Sequence, residues 1–252
     1  MRARVVAVVA LLGAIGFHLR ERPEKGVVGV VVPAADTVAP TQQGDPSVLP
    51  PARDTAEQAR DLALIQDRLR EGAPGTYILE MLAEQGDTLA RWPERMNEPI
   101  RVWIQPHAEI PDWNRAYPVV AERAFEEWRE AGFPVQFNRM RDSAGTDIKI
   151  LFVHQMPPEE RRRIGVARRM RDRHGWLFQA EVVIATHDRS GLPLPAETVG
   201  GTARHEVGHV LGLGHSPNAT DVMFPESRTP TISAMDRATL HLLYMLPPGA
   251  VK

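Results

Sequence analysis

The stretch of the chain with the clearest chemical pattern covers residues 205–216 and reads His-Glu-Val-Gly-His-Val-Leu-Gly-Leu-Gly-His-Ser. His205 and His209 are four residues apart, so on a helix their imidazoles lie one turn apart on the same face. That spacing lets two ring nitrogens reach one zinc ion at about 2.0–2.1 Å. Glu206 points past the metal, where its carboxylate is placed to take a proton from a water bound to the ion.

The residues after His209 predict how a third ligand reaches the same metal. Gly212 can adopt a positive φ, so it predicts the end of the helix and a turn of the chain. The turn would bring His215 around as the third ligand. Three protein ligands leave a fourth position for water, as in catalytic rather than structural zinc sites. The alternative is a helix that carries histidines but binds no metal.

The hydrophobic patterns predict the elements that must position these residues. The active-site helix is predicted over 196–211, an amphipathic helix over 117–131, and a last helix over 233–244. Ser233 is its N-cap, with Asp236 in a capping-box position. Strands are predicted over 100–104, 135–139, 148–153, 164–170 and 176–185. This order predicts an α+β fold with one mixed, twisted sheet rather than a doubly wound sheet.

These motifs resemble a known family. Residues 205–215 match the elongated zinc-binding pattern of the metzincin metallopeptidases, and Ser216 directly after the third histidine is similar to the matrixin branch, the family of the matrix metalloproteinases. Residues 221–225, Asp-Val-Met-Phe-Pro, resemble the Met-turn of that family. Residues 232–244 are similar to its C-terminal helix. The resemblance covers roughly residues 91–247.

The resemblance implies a zinc endopeptidase that acts on proteins or peptides. Its single catalytic Zn²⁺ would be held by His205, His209 and His215. Glu206 would be the general base, and Gly212 and Met223 would support the site, Met223 lying beneath the metal. The substrate would lie extended along an edge strand, for which residues 164–167 are the candidate.

The chain also departs from the family pattern. The loop that holds structural zinc and calcium in vertebrate matrixins is not recognisable between residues 153 and 187, so a second structural zinc or calcium is not expected. His154, His174 and His187 lie in that stretch and are interpreted as solvated loop and hairpin histidines. The chain has no cysteine, which excludes disulfides, thiolate metal sites and a cysteine-based latency switch.

Composition and charge limit the kinds of partner that the protein is expected to bind. The net charge of −2 and the isoelectric point near 6.5 argue against a protein built to coat nucleic acid. We expect a monomer. Seven arginines lie between residues 161 and 173. They predict either an anionic partner or, more simply, a solvated hairpin partly neutralised by Glu159, Glu160 and Asp172.

Four regions are predicted along the chain. Residues 1–19, with a basic start and an apolar run, are typical of a signal peptide, or of a signal anchor if it is not cleaved. They predict a secreted or extracytoplasmic protein that could be anchored in a membrane. Residues 20–56 are predicted to be a disordered Pro-rich linker. Residues 57–90 are a helical segment, either an inhibitory prosegment or a brace, and residues 91–252 are the matrixin-like peptidase domain.

Two rival functions remain open from the sequence. One is a non-catalytic zinc-binding module on the same fold, against which the intact Glu206 argues. The other is an envelope-associated or membrane-anchored protein that uses the arginines of residues 161–173, with a purely structural metal site. The sequence does not show which acidic side chain of residues 57–90 would contact the site, because none of them lies in a recognisable motif. The candidates are Asp61, Asp67, Glu71, Glu80 and Glu84.

Overall fold

The computed structural model describes residues 30–33, 55–94, 98–226 and 231–251. The predicted signal segment, residues 1–19, lies outside the described residues, and so does most of the predicted linker. The linker's described part includes a short strand at Val30–Pro33. No helix in the described ranges combines the length and the apolar character needed to cross a membrane.

The helices and strands predicted between residues 100 and 244 agree with the structure to within a few residues. The strands at Thr88–Leu89 and Gly249–Ala250 were not predicted, and the strand at Val30–Pro33 lies in the stretch predicted to be a disordered linker. The α-helices are α1 Thr55–Gly72, α2 Ile78–Glu84, α3 Ala116–Glu130, α4 Ala196–Val210 and α5 Ala234–Met245. The strands are β1 Val30–Pro33, β2 Thr88–Leu89, β3 Ile100–Ile104, β4 Phe137–Arg139, β5 Ile148–Val153, β6 Gly165–Arg171, β7 Leu177–Ala185 and β8 Gly249–Ala250.

The main sheet is mixed, as predicted. Its strand order is β1-β6-β7-β5-β3-β4. Strands β7, β5, β3 and β4 run parallel to their neighbours in this series, whereas β6 is antiparallel to β7 and β1 is antiparallel to β6. The α+β fold is therefore confirmed. A second, two-stranded sheet of β2 and β8 was not predicted.

The active-site helix α4 lies on one face of the sheet. It packs against α3 and across β6 and β7. Alternating side chains of β5 are buried, with Ile148, Ile150 and Phe152 at 4% exposure or less. The apolar stripe of α3 includes Phe125 and Trp128, both buried. This packing sets α4 beside β6.

The helical segment at residues 57–90 shares the core of the rest of the chain. Tyr77, Ile78 and Met81 are fully buried, in the same hydrophobic cluster as Val207 of α4 and Leu243 of α5. The segment is thus packed into the described structure rather than resting on its surface.

The interpretation of the arginine-rich stretch as a solvated hairpin is wrong for one residue. Arg169 is only 2% exposed, because the alternation of β6 turns its side chain inward beneath α4. Its neighbour Arg168 faces outward and pairs with Glu160 at 2.9 Å. Burial lowers the pKa of the Arg169 guanidinium to about 10, which still leaves it charged near neutral pH.

Candidate active site

The structure brings the three predicted histidines together. His205 and His209 lie one turn apart on α4, with their Nε2 atoms 3.0 Å apart. The turn after the helix brings His215 to the same place, and one nitrogen from each of the three rings lies within 4.8 Å of the others. Within the described ranges, these three histidines form a group that could hold a metal ion.

A hydrogen bond at Nδ1 orients each ring. Nδ1 of His205 donates to the Val222 carbonyl at 2.7 Å, and Nδ1 of His209 donates to the Leu213 carbonyl at 3.0 Å. Nδ1 of His215 instead donates to Oε1 of Glu84 at 2.5 Å. With the proton on Nδ1, the lone pair of each Nε2 is left for a metal.

The electrostatics favour neutral imidazoles, which is the form that binds metals. Burial lowers the pKa of His205 to about 4 and that of His209 well below its usual value. At Glu84, burial acts to raise the carboxyl pKa, but the two hydrogen bonds from His215 act against it and the net pKa is lowered.

The predicted turn at Gly212 is confirmed. Its φ is +112°, and a Cβ there would overlap the Ala90 carbonyl oxygen. The amide of Leu213 donates to the Gly208 carbonyl at 3.1 Å, and the amide of Gly212 donates to the His209 carbonyl at 2.9 Å. This is a Schellman motif with glycine at the left-handed position, which ends α4 and sends the chain toward His215.

Side chains from distant elements satisfy the last carbonyls of α4, which have no partner within the helix. Trp92 Nε1 donates to Val210 O at 2.7 Å, and Tyr244 Oη donates to Leu211 O at 2.8 Å. Arg169 Nη1 donates to the carbonyl of His209 at 2.9 Å. The end of the helix that carries the ligands is thereby fixed. Sequence reasoning missed these partners, which lie 33 to 118 residues away in the chain.

The predicted Met-turn lies against the first turn of α5. Asp236 is fully buried and accepts hydrogen bonds from the amides of Val222 and Met223 at 2.8 and 3.4 Å. It also accepts from Tyr77 Oη at 3.1 Å. The predicted capping box of Ser233 and Asp236 is confirmed, so the same carboxylate caps α5 and holds the Met-turn.

Glu206 lies beside the first residues of β6, which β1 does not pair with. Its side chain is buried, the amide of Ala167 donates to it, and its Oε2 has no partner among the described residues. Gly165 of β6 makes room for it, since a Cβ there would lie 2.8 Å from Glu206 Oε1. Burial raises the pKa of the Glu206 carboxyl to about 8, against the lowering effects of Arg163 and of the Ala167 amide.

The predicted substrate edge is the outer side of β6. Its inner side pairs with β7 from Gly165 to Arg171. Strand β1 pairs antiparallel with residues 168–171 on the outer side. Residues 165–167, beside Glu206, have no strand partner on that side among the described residues.

The other histidines do not join a second cluster in the described ranges. His154 and His187 stack with their ring centroids 4.2 Å apart. His187 is only 3% exposed, so its interpretation as a solvated histidine is wrong. His174 lies elsewhere and accepts from Arg173 Nε at 3.0 Å. The expectation that a second structural zinc or calcium is absent stays a prediction.

The donor set fits a zinc ion. Three imidazoles bring one ring nitrogen each within 4.8 Å of the others, and the residue after His205, Glu206, has a buried carboxylate oxygen with no partner among the described residues. Three nitrogen ligands with one coordination position left over are typical of catalytic zinc.

Comparison with known proteins shows what this part of the chain is similar to. Residues 194–245 match the family model described as matrixin. This segment of the chain is therefore similar to the matrixins. It contains α4, the Met-turn and α5, so the resemblance inferred from the motifs is confirmed there. Metalloendoproteinase 1-MMP of Arabidopsis thaliana is 34% identical over 130 residues, an alignment that covers 44% of this chain. The aligned part is about a third, 32%, of that relative's length.

Proposed function

We propose that the chain is a zinc-dependent metalloendopeptidase that hydrolyses peptide bonds in extracellular or envelope proteins, acting as a monomer. The observation that carries the proposal is the convergence of His205, His209 and His215 beside the buried, unpartnered Oε2 of Glu206. The matrixin match over the same residues supports it.

Each side chain has a defined part in the proposed reaction. His205, His209 and His215 would hold the zinc ion through Nε2. Bound zinc supplies a Lewis acid for the scissile carbonyl and lowers the pKa of a bound water to about 7. Glu206 accepts the proton of the attacking water at Oε2 and later delivers it to the leaving amine. The Ala167 amide donates a hydrogen bond to the carboxyl and holds it in place beside β6.

The edge of β6 is the proposed peptide-binding strand. A substrate extended along residues 164–167 would exchange main-chain hydrogen bonds with β6 next to Glu206. The antiparallel pairing of β1 with residues 168–171 supports this mode, because the same edge accepts an extended segment a few residues away.

The cellular location is part of the proposal. The protein would be secreted or extracytoplasmic, and the alternative is that an uncleaved N-terminal segment anchors it in a membrane. Both possibilities are inferred from the sequence of residues 1–19. Those residues lie outside the described ranges.

The direct test is a peptide-library digest by the purified 20–252 protein. We expect cleavage that a zinc chelator abolishes and that one equivalent of added zinc restores. Zinc binding without cleavage of any peptide would instead identify the non-catalytic zinc-binding module. Cleavage that the chelator leaves unchanged would contradict the metal mechanism.

A further inference from the structure

Glu84, the last residue of α2, makes two hydrogen bonds to the third histidine. Its Oε1 lies 2.5 Å from His215 Nδ1, and its Oε2 accepts from the His215 backbone amide at 2.8 Å. One carboxylate therefore fixes both the ring and the main chain of His215. The residue comes from the segment before the matrixin-like domain, 131 positions earlier in the chain.

His215 differs in this respect from the other two histidines. The Nδ1 atoms of His205 and His209 donate to backbone carbonyls. A carboxylate is a stronger acceptor than a carbonyl, because hydrogen bonds to an ionised group are roughly twice as strong as neutral ones. His215 also lies beyond the end of α4, where no helix fixes its position.

Gly214 lets the end of α2 come this close. A Cβ on Gly214 would lie 2.6 Å from Glu84 Oε2 and 2.8 Å from Met81 Cγ. From the same end of α2, Gln85 Nε2 donates to the Gly212 carbonyl at 3.3 Å. The turn between Gly212 and His215 is thus docked on α2 at two points.

The position of Glu84 is itself well fixed. Helix α2 buries Ile78, Met81 and Leu82 in the core. The buried guanidinium of Arg169 interacts favourably with the Glu84 carboxylate and also donates to the His209 carbonyl. The carboxylate therefore has both a rigid support and a nearby positive charge.

We propose that Glu84 is a positioning residue of the metal centre: by accepting the Nδ1 proton of His215 it directs the Nε2 of that ring toward the zinc. This inference rests on the proposed function. Glu84 approaches the ring nitrogen that is not offered to the metal, so it leaves the fourth coordination position free. Residues 57–90 then contribute a positioning residue to the metal site and are not an inhibitory prosegment.

Zinc affinity, measured by competition with a chromogenic chelator on the 20–252 protein, tests the proposal. Removing a second-layer partner of a metal ligand typically weakens binding 10–100-fold. We expect that loss for Glu84→Ala and a smaller one for Glu84→Gln, which keeps one acceptor oxygen. Glu80→Ala is the matched control, since Glu80 is an exposed glutamate on the same helix. His215→Ala marks the effect of losing the ligand itself.

Two further readouts separate positioning from general stability. The thermal midpoint of each metal-free variant shows whether the fold is intact, and the visible absorption of the Co²⁺-loaded protein reports the ligand geometry. Weaker zinc binding and an altered Co²⁺ spectrum at an unchanged metal-free midpoint support the proposal. Should Glu84→Ala not fold, Glu84→Gln is judged by the same criteria.

Unchanged zinc affinity in the folded Glu84 variants would overturn the proposal, and so would an equal loss in Glu80→Ala. Failure of the proposed function would look different. The wild-type protein would then bind zinc yet cleave no peptide, whatever the Glu84 variants do to the affinity.

Discussion

The sulfur of Met223 occupies the space that a side chain on Gly208 would need. A Cβ built on Gly208 would overlap Met223 Sδ and lie 2.8 Å from Trp128 Cζ2. The absence of a side chain at this point of α4 lets the helix approach both the Met-turn and α3. The helix that carries His205 and His209 is therefore seated directly on the methionine that was predicted to lie beneath the metal.

Replacing Gly208 by alanine should destabilise the protein. The added methyl group must displace Met223 or Trp128, and overpacking of a filled core typically costs about 1–3 kcal/mol. Gly201→Ala is the matched control on the same helix, because a Cβ there has no neighbour within 4 Å. It should stabilise the helix by about 0.5–1 kcal/mol. Urea unfolding of the metal-free proteins measures both. A Gly208→Ala protein as stable as wild type would refute the close contact.

The pairing of Glu127 with Arg204 should make stability depend on pH. Glu127 of α3 pairs with Arg204 of α4 and with Arg123 at 3.0 Å. Burial acts to raise the carboxyl pKa of Glu127, but the two arginines outweigh it and the net pKa is lowered. The stabilisation is therefore fully present above the unfolded value of about 4.3 and is lost as the pH falls below it through the folded pKa.

The Glu127→Gln variant tests this dependence. At pH 7 it should be less stable than wild type by about 1 kcal/mol, the upper range for a partly exposed ion pair. At pH 3 the difference in unfolding free energy should largely vanish. The control, Glu126→Gln, changes an exposed neighbour and should have little effect at either pH. A difference that persists undiminished at pH 3 would show that the pair contributes no electrostatic stabilisation.

Removing residues 1–90 should damage the fold rather than activate the enzyme. The residues of this segment that lie in the shared core are Ile65, Tyr77, Ile78, Met81, Leu82, Leu89 and Ala90. Full burial of one large apolar side chain stabilises by about 1.5–3 kcal/mol, so their loss exceeds the margin of a typical domain. We expect the 91–252 fragment to show no cooperative thermal transition, unlike the 20–252 protein. A folded fragment with higher peptidase activity would identify a prosegment instead.

Thiol reagents should leave the activity unchanged. An organomercurial activates a latent enzyme by removing a thiolate from zinc, and this chain has no cysteine. The measurement is the cleavage rate of one peptide by the 20–252 protein with and without the reagent. Specific activation, without unfolding or chain cleavage, would contradict the absence of a thiol switch.

Local patterns were sufficient to predict much of the site. The spacing of His205 and His209, the turn at Gly212 and the capping box of Ser233 and Asp236 each depend on residues a few positions apart. Strand β5 could be predicted in the same way, because each of the alternate side chains that it buries is apolar.

Long-range partners could not be predicted in this way. Glu84 was one of five equivalent acidic candidates, and only the packing of α2 against the turn before His215 distinguishes it. Arg169 was one of seven arginines in a charged stretch, and its burial depends on which face of β6 meets α4. Asp236 was recognised as a cap, but its bond to the Met-turn joins residues that only the fold brings together.

The most direct test of the account is the Glu206→Gln variant, assayed for both zinc content and peptide cleavage. Glutamine has nearly the same shape but cannot act as a base, and general-base catalysis contributes about 10²–10⁴-fold. We predict one bound zinc per chain, a metal-free stability close to wild type, and a kcat/KM lower by about 10²–10⁴-fold. Cleavage at the wild-type rate by the zinc-loaded variant would contradict the assignment of Glu206 and the mechanism built on it.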